Sequence, residues 1–70
     1  PQDPLAALHP LRTVGAQLTE TLRTHGRAPT EAPLLLARVH LPDPEAALRR
    51  YPHQFSGGQR QRVAIALALC

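Results

Sequence analysis

Ser56-Gly57-Gly58-Gln59 opens a helix, and no other segment constrains the fold of this chain as tightly. Ser56 is a good N-cap, and Gln59 three residues later supplies the second half of a capping box. The two glycines between them carry no side chain, so a ligand can approach the backbone closely. A helix begun this way presents unpaired N–H groups and the positive end of its macrodipole, which together suit an anion such as a phosphate. The plain alternative is a cap with no ligand. Against it stands the length of the string, which continues into Arg60-Gln61-Arg62 and is preceded by Tyr51-Pro52-His53-Gln54-Phe55.

Upstream, prolines and glycines divide the chain into short helices. Pro1-Gln2-Asp3-Pro4 reads as extended or turn-like, because the residue before a proline avoids the helical region. Leu5-Ala6-Ala7-Leu8 is expected to make one helical turn before His9-Pro10 stops it. Thr13 caps the next helix, in which Val14, Leu18 and Leu22 recur every four residues. Gly26 is its C-terminal stop. A second helix is expected from Ala32 to Val39, with Thr30 as cap and Pro33 in the first turn. Its Leu34-Leu35-Leu36 run is apolar nearly all round and predicts burial between other helices. Asp43 followed by Pro44 predicts a short helix from Pro44 to Arg50, ended by Pro52. Val63, Ile65, Leu67 and Leu69 alternate with alanines, a strand-like period, but the cap and the alanine content favour helix. The expected fold class is therefore all-α.

Seventy residues form one small unit at most, with little apolar surface to bury unless a partner helps. Leu34 to Leu36 and Val63 to Leu69 hold more apolar surface than four short helices are expected to cover, which predicts a loose ensemble for the chain alone. The single Cys70 forms no internal disulfide and fits a reducing compartment. The histidines at 9, 25, 40 and 53 have no metal-site spacing and read as loop or surface residues. All eight basic residues are arginine, and they are spread along the chain, as on a solvated helical surface. With Tyr51 and Phe55 the only aromatics, a nucleic-acid stacking platform is not expected. No stretch is long and apolar enough for a membrane span.

The string around Ser56-Gly57-Gly58-Gln59 resembles the signature motif of ABC-type ATPases. From Gln2-Asp3-Pro4 to the signature, the chain resembles such an ATPase from its Q-loop onward, including the helical subdomain between. Gln2-Asp3-Pro4-Leu5, Leu8-His9-Pro10, Thr13-Val14-Gly15, Leu41-Pro42-Asp43-Pro44 and Tyr51-Pro52-His53 are similar to the dipeptide, oligopeptide and nickel importer branch. The closing Ile65 to Cys70 stretch is similar to the one leading into Walker B. With Pro1 and Cys70 at its ends, the chain is expected to be an internal fragment: residues 1–4 the Q-loop, 5–54 the helical subdomain, 55–70 the signature and its helix. Most of the α/β nucleotide-binding core is then missing.

The resemblance implies roles. Gln2 matches the Q-loop glutamine, which contacts ATP-bound Mg2+ and the attacking water and senses the membrane partner. Ser56, Gly57, Gly58 and Gln59 match the segment that closes over the γ-phosphate of ATP held by a second ATP-binding subunit. A groove beside Gln2 and the first helices would receive the coupling helix of a transmembrane permease, with the protein peripheral on the cytoplasmic face of the inner membrane. Without a lysine no P-loop exists here, and Walker B, its glutamate, the D-loop and the switch histidine are also absent. The chain alone is thus expected not to hydrolyse ATP, and His53, which precedes the signature, takes no switch role.

The sequence also departs from the family pattern. Pro1 replaces an aromatic or aliphatic residue, Ala16 an acidic one that would complete Thr13's capping box, and His40 a helix-ending glycine. The Gly26 to Leu34 span is several residues shorter than usual. Two other readings stay open: a non-transport ABC ATPase, and a small helical interaction module without nucleotide.

Overall fold

The computed structural model describes residues 8–70. Among them the order is α1 (Val14–Thr24), a 3₁₀ turn (Pro29–Glu31), α2 (Ala32–Arg38), α3 (Pro44–Leu48), a second 3₁₀ turn (Pro52–Gln54) and α4 (Gly57–Leu69). No strand occurs among the described residues, so the all-α expectation holds. The turn expected at Leu5 to Leu8 lies largely outside the described residues.

Helix α1 forms as its sequence dictates. The Thr13 hydroxyl accepts from the Ala16 N–H at 3.1 Å, which is half of a capping box, since Ala16 has nothing to return. At the far end Gly26 takes φ 70°. The Gly26 N–H then donates to Arg23 and the Arg27 N–H to Leu22, closing a Schellman motif. The four-residue apolar period faces inward: Val14, Leu18 and Leu22 are buried against Leu35 and Leu36 of α2 and Val63 and Ala66 of α4.

Three local expectations are corrected. Thr30 does not cap α2, because it lies inside the 3₁₀ turn that Pro29 opens, and Glu31 occupies the cap position without a side-chain bond. The Glu31 carboxylate is instead taken by Arg27 four residues back, whose guanidinium holds it below the usual carboxylate range. The Leu34-Leu35-Leu36 run is not buried all round. Leu35 and Leu36 are fully inside, whereas Leu34 is 64% exposed, because a surface helix has one core-facing stripe and successive residues cannot all lie on it. Likewise Ile65 and Leu69 of α4 stay about half exposed while Val63, Ala64 and Ala66 are buried.

Helix α3 is the third correction. Asp43 caps it, accepting from the Ala46 N–H, with Pro44 in the first turn as expected. It ends at Leu48 rather than Arg50: the Arg49 and Arg50 N–H groups tighten to the i−3 carbonyls of Ala46 and Ala47, and the Arg50 carbonyl turns to accept from the Val14 N–H at 2.9 Å. Pro52 therefore opens a turn and does not end the helix.

The same junction explains Gly15. A Cβ placed there would sit 2.6 Å from the Leu48 carbonyl oxygen and 3.2 Å from the Leu48 Cβ. The α1 backbone thus crosses α3 at a distance no other residue allows. Gly15→Ala should destabilise the helical unit by about 1–2 kcal/mol in a thermal melt of the complete protein, since overpacking of roughly 1–3 kcal/mol outweighs the better helix propensity of alanine.

His40 occupies the position after the last turn of α2 with φ 63°, and the Leu41 N–H closes back on the Leu36 carbonyl. The backbone there is shaped for glycine, and a β-carbon in this region is strained. His40→Gly should stabilise the chain by about 0.5–1 kcal/mol, the relief of strain less the added freedom of the unfolded state, as read from the same melt.

Candidate functional site

The N-terminus of α4 is built by a full capping box. The Ser56 hydroxyl accepts from the Gln59 N–H at 3.1 Å, and the Gln59 side-chain oxygen accepts from the Ser56 N–H at 3.0 Å. The Ser56 carbonyl accepts from the Arg60 N–H at 2.9 Å, which starts the helical ladder. The N–H groups of Gly57 and Gly58 meet no acceptor among the described residues, and both glycines are exposed. No acidic residue lies in the first turn to take their place. Arg60 stands close by, donating to the Phe55 carbonyl at 3.2 Å. Phe55 is buried and anchors the approach to the cap.

Internal packing does not require either glycine. A Cβ on Gly58 would meet nothing within 4 Å, and one on Gly57 would only touch the far end of Arg60 at 4.0 Å. Neither has a positive φ, unlike Gly26. Glycine has a lower helix propensity than alanine, so two in succession gain nothing for the helix itself. Their bareness serves no contact inside the chain, so it leaves room for a group from outside.

Ser56, Gly57, Gly58 and Gln59 thus stand together at one helix end. Gln2 lies outside the described residues. No three His, Cys, Asp or Glu side chains come together among the described residues, so none of these is assigned to Mg2+. His53 is exposed and stacks on Tyr51, ring centres 5.9 Å apart. A second feature is an open groove of about 350 Å³ between α1 and α4, lined by His9, Arg12, Gln17, Glu20, Thr21 and Leu67. Arg12 and Glu20 pair across part of it at 3.2 Å.

Gln17 was not anticipated as anything but a helical residue. It is 7% exposed and makes three hydrogen bonds to the turn before α1. The available signal was its place beside Leu18 and three residues after Val14, which puts an amide next to the buried stripe.

Over 97% of its length this chain is homologous to ATP-binding proteins of ABC transporters, of the kind that serve peptide and glutathione import. It is 49% identical over 73 residues to the glutathione import ATP-binding protein GsiA of Salmonella choleraesuis strain SC-B67, and 47% identical to that of Escherichia coli K12. It is 51% identical over 73 residues to the dipeptide transport ATP-binding protein DppD of Bacillus subtilis strain 168. The chain spans 12% of the length of the GsiA proteins and 22% of DppD. No protein-family model matches it.

Ser56→Ala removes the hydroxyl half of the box and should cost about 1 kcal/mol of stability. The loss should appear as faster amide exchange at Gln59, with the buried end of α4 at Val63 and Ala66 less affected.

Proposed function

We propose that this chain serves as the helical subdomain and signature segment of an ABC-type ATP-binding subunit that couples ATP binding and hydrolysis to import of peptides or a related small solute. The observation that carries the reading is the pair Gly57 and Gly58: bare, open, with unaccepted N–H groups, and not needed by the fold. Homology to the importer proteins supports the same reading.

In this reading residues 1–4 are the Q-loop, 5–54 the helical subdomain and 55–70 the signature and its helix. The Gly57 and Gly58 N–H groups, the Ser56 hydroxyl and the positive end of α4 bind the γ-phosphate of ATP carried by a second subunit. Gln59 holds Ser56 in place through the capping box. Gln2 would contact Mg2+ and the attacking water, as its match to the Q-loop glutamine implies. Bound Mg2+ would neutralise charge on the phosphates. The groove along α1 receives the coupling helix of the permease, whose interior apolar contact would be Leu67. The subunit works at the cytoplasmic face of the inner membrane. No helix among the described residues is long and apolar enough to cross a membrane.

The test uses the complete ATP-binding protein. A Cβ on Gly58 meets nothing within 4 Å, so Gly58→Leu should fold while its bulk blocks the phosphate. Turnover in the assembled transporter should fall at least about tenfold, the equivalent of one lost charge-assisted hydrogen bond. ATP binding by the separated subunit should stay nearly unchanged, because its own phosphate loop is elsewhere. Loss of subunit binding with intact turnover per bound ATP would show that the site does not act on the partner's nucleotide.

A further inference from the structure

We propose that Gln17 is a positioning residue that clips the His9–Arg12 turn to α1, so that the two walls of the groove respond as one body. This rests on the function proposed above for its link to the permease; the clip itself is drawn from the geometry of Gln17.

The Gln17 amide is nearly fully engaged. Its oxygen accepts from the His9 N–H at 2.9 Å, and its nitrogen donates to the His9 carbonyl at 2.9 Å and to the Arg12 carbonyl at 3.0 Å. Gln17 is the one polar residue counted as buried among those described. Burial of an amide is unfavourable unless its bonds are made, so this side chain is held in place by the turn and holds the turn in return.

Little else does so. Pro10 and Leu11 are exposed, Leu11 at 79%, so the tip of the turn has no apolar anchor. The turn's own backbone bond, Arg12 N–H to the His9 carbonyl, is long at 3.4 Å. The Arg12–Glu20 pair is largely solvated, and such pairs contribute little. Leu8 enters the core just upstream, and Thr13 starts α1 just downstream. Between those two points the Leu11 N–H reaches only the His9 ring nitrogen inside the turn, at 3.2 Å, and the buried connection to α1 runs through Gln17.

Its location gives the clip a function. Gln17 lines the same groove as His9 and Arg12 on the turn side and Glu20 and Thr21 on the helix side. A body seated in the groove therefore touches both parts that Gln17 joins. With the clip made, a push on α1 moves the turn; without it, the turn gives way locally.

Gln17→Met keeps the length and removes all three bonds, and Gln17→Leu is the second variant should methionine misfold. In the complete ATP-binding protein, amide exchange at His9 should accelerate at least tenfold while Leu18 and Leu22 keep their protection. Unchanged exchange at His9, or equal loss along α1, would overturn the clip. In the complete transporter, the ratio of permease-stimulated to unstimulated ATP turnover should fall at least fivefold with the KM for ATP unchanged. A general loss of folding would lower both rates together and leave the ratio intact, and that result would refute the positioning role. If the wild-type protein shows no permease-stimulated turnover, the proposed function falls, and the clip is decided by exchange alone.

Discussion

The close crossing of α1 over α3 at Gly15 sets the geometry on which the rest of the molecule depends. The Leu48 carbonyl lies where a side chain on Gly15 would be, and the Val14 N–H takes the Arg50 carbonyl one step further on. Both contacts join the start of the first helix to the end of the third. They fix where the chain leaves α3, and so where the Tyr51–Phe55 connection and the start of α4 must lie. Hydrophobic burial of Leu18, Leu22, Leu35, Leu36 and Val63 supplies the stability, but it is non-directional. The backbone junction supplies direction.

The start of α4 shows the opposite balance. Gly15 is bare because the fold leaves no space, whereas Gly57 and Gly58 are bare with space to spare. The first is explained inside the chain. The second has no internal gain to set against the lower helix propensity of glycine. The capping box compensates in part, by holding a helix start that its own residues would otherwise leave frayed. Stability and an open N-terminus are thus reconciled by placing the strong contacts at Ser56 and Gln59, on either side of the glycines.

Much of this architecture was legible residue by residue. Thr13, Asp43 and Ser56 each cap the helix expected of them, and Gly26 ends α1 as expected, in a left-handed turn. Caps and glycine stops are local, settled within one turn, so a sequence states them directly. The cap assigned to Thr30 failed because two prolines nearby and the Arg27–Glu31 pair drew the chain into a 3₁₀ turn first. The all-round burial read into Leu34 failed for a related reason: composition records how apolar a run is, not which side of it faces a neighbour.

Sequence by itself determined the helical class, the helix starts and the phosphate-suited motif at Ser56 to Gln59, because each depends on neighbours within four residues. Its likeness to importer ATP-binding proteins was likewise legible in short strings such as Thr13-Val14-Gly15 and Tyr51-Pro52-His53. Tertiary structure alone decided that α3 stops at Leu48, that Gly15 is a crossing point, and that Gln17 turns its amide toward His9 and Arg12. It also decided that His40 bears a glycine-like backbone strain. In each of these the partner atom is five or more residues away, or the backbone angle is set by how two packed helices must join, and neither is written in the local order of residues.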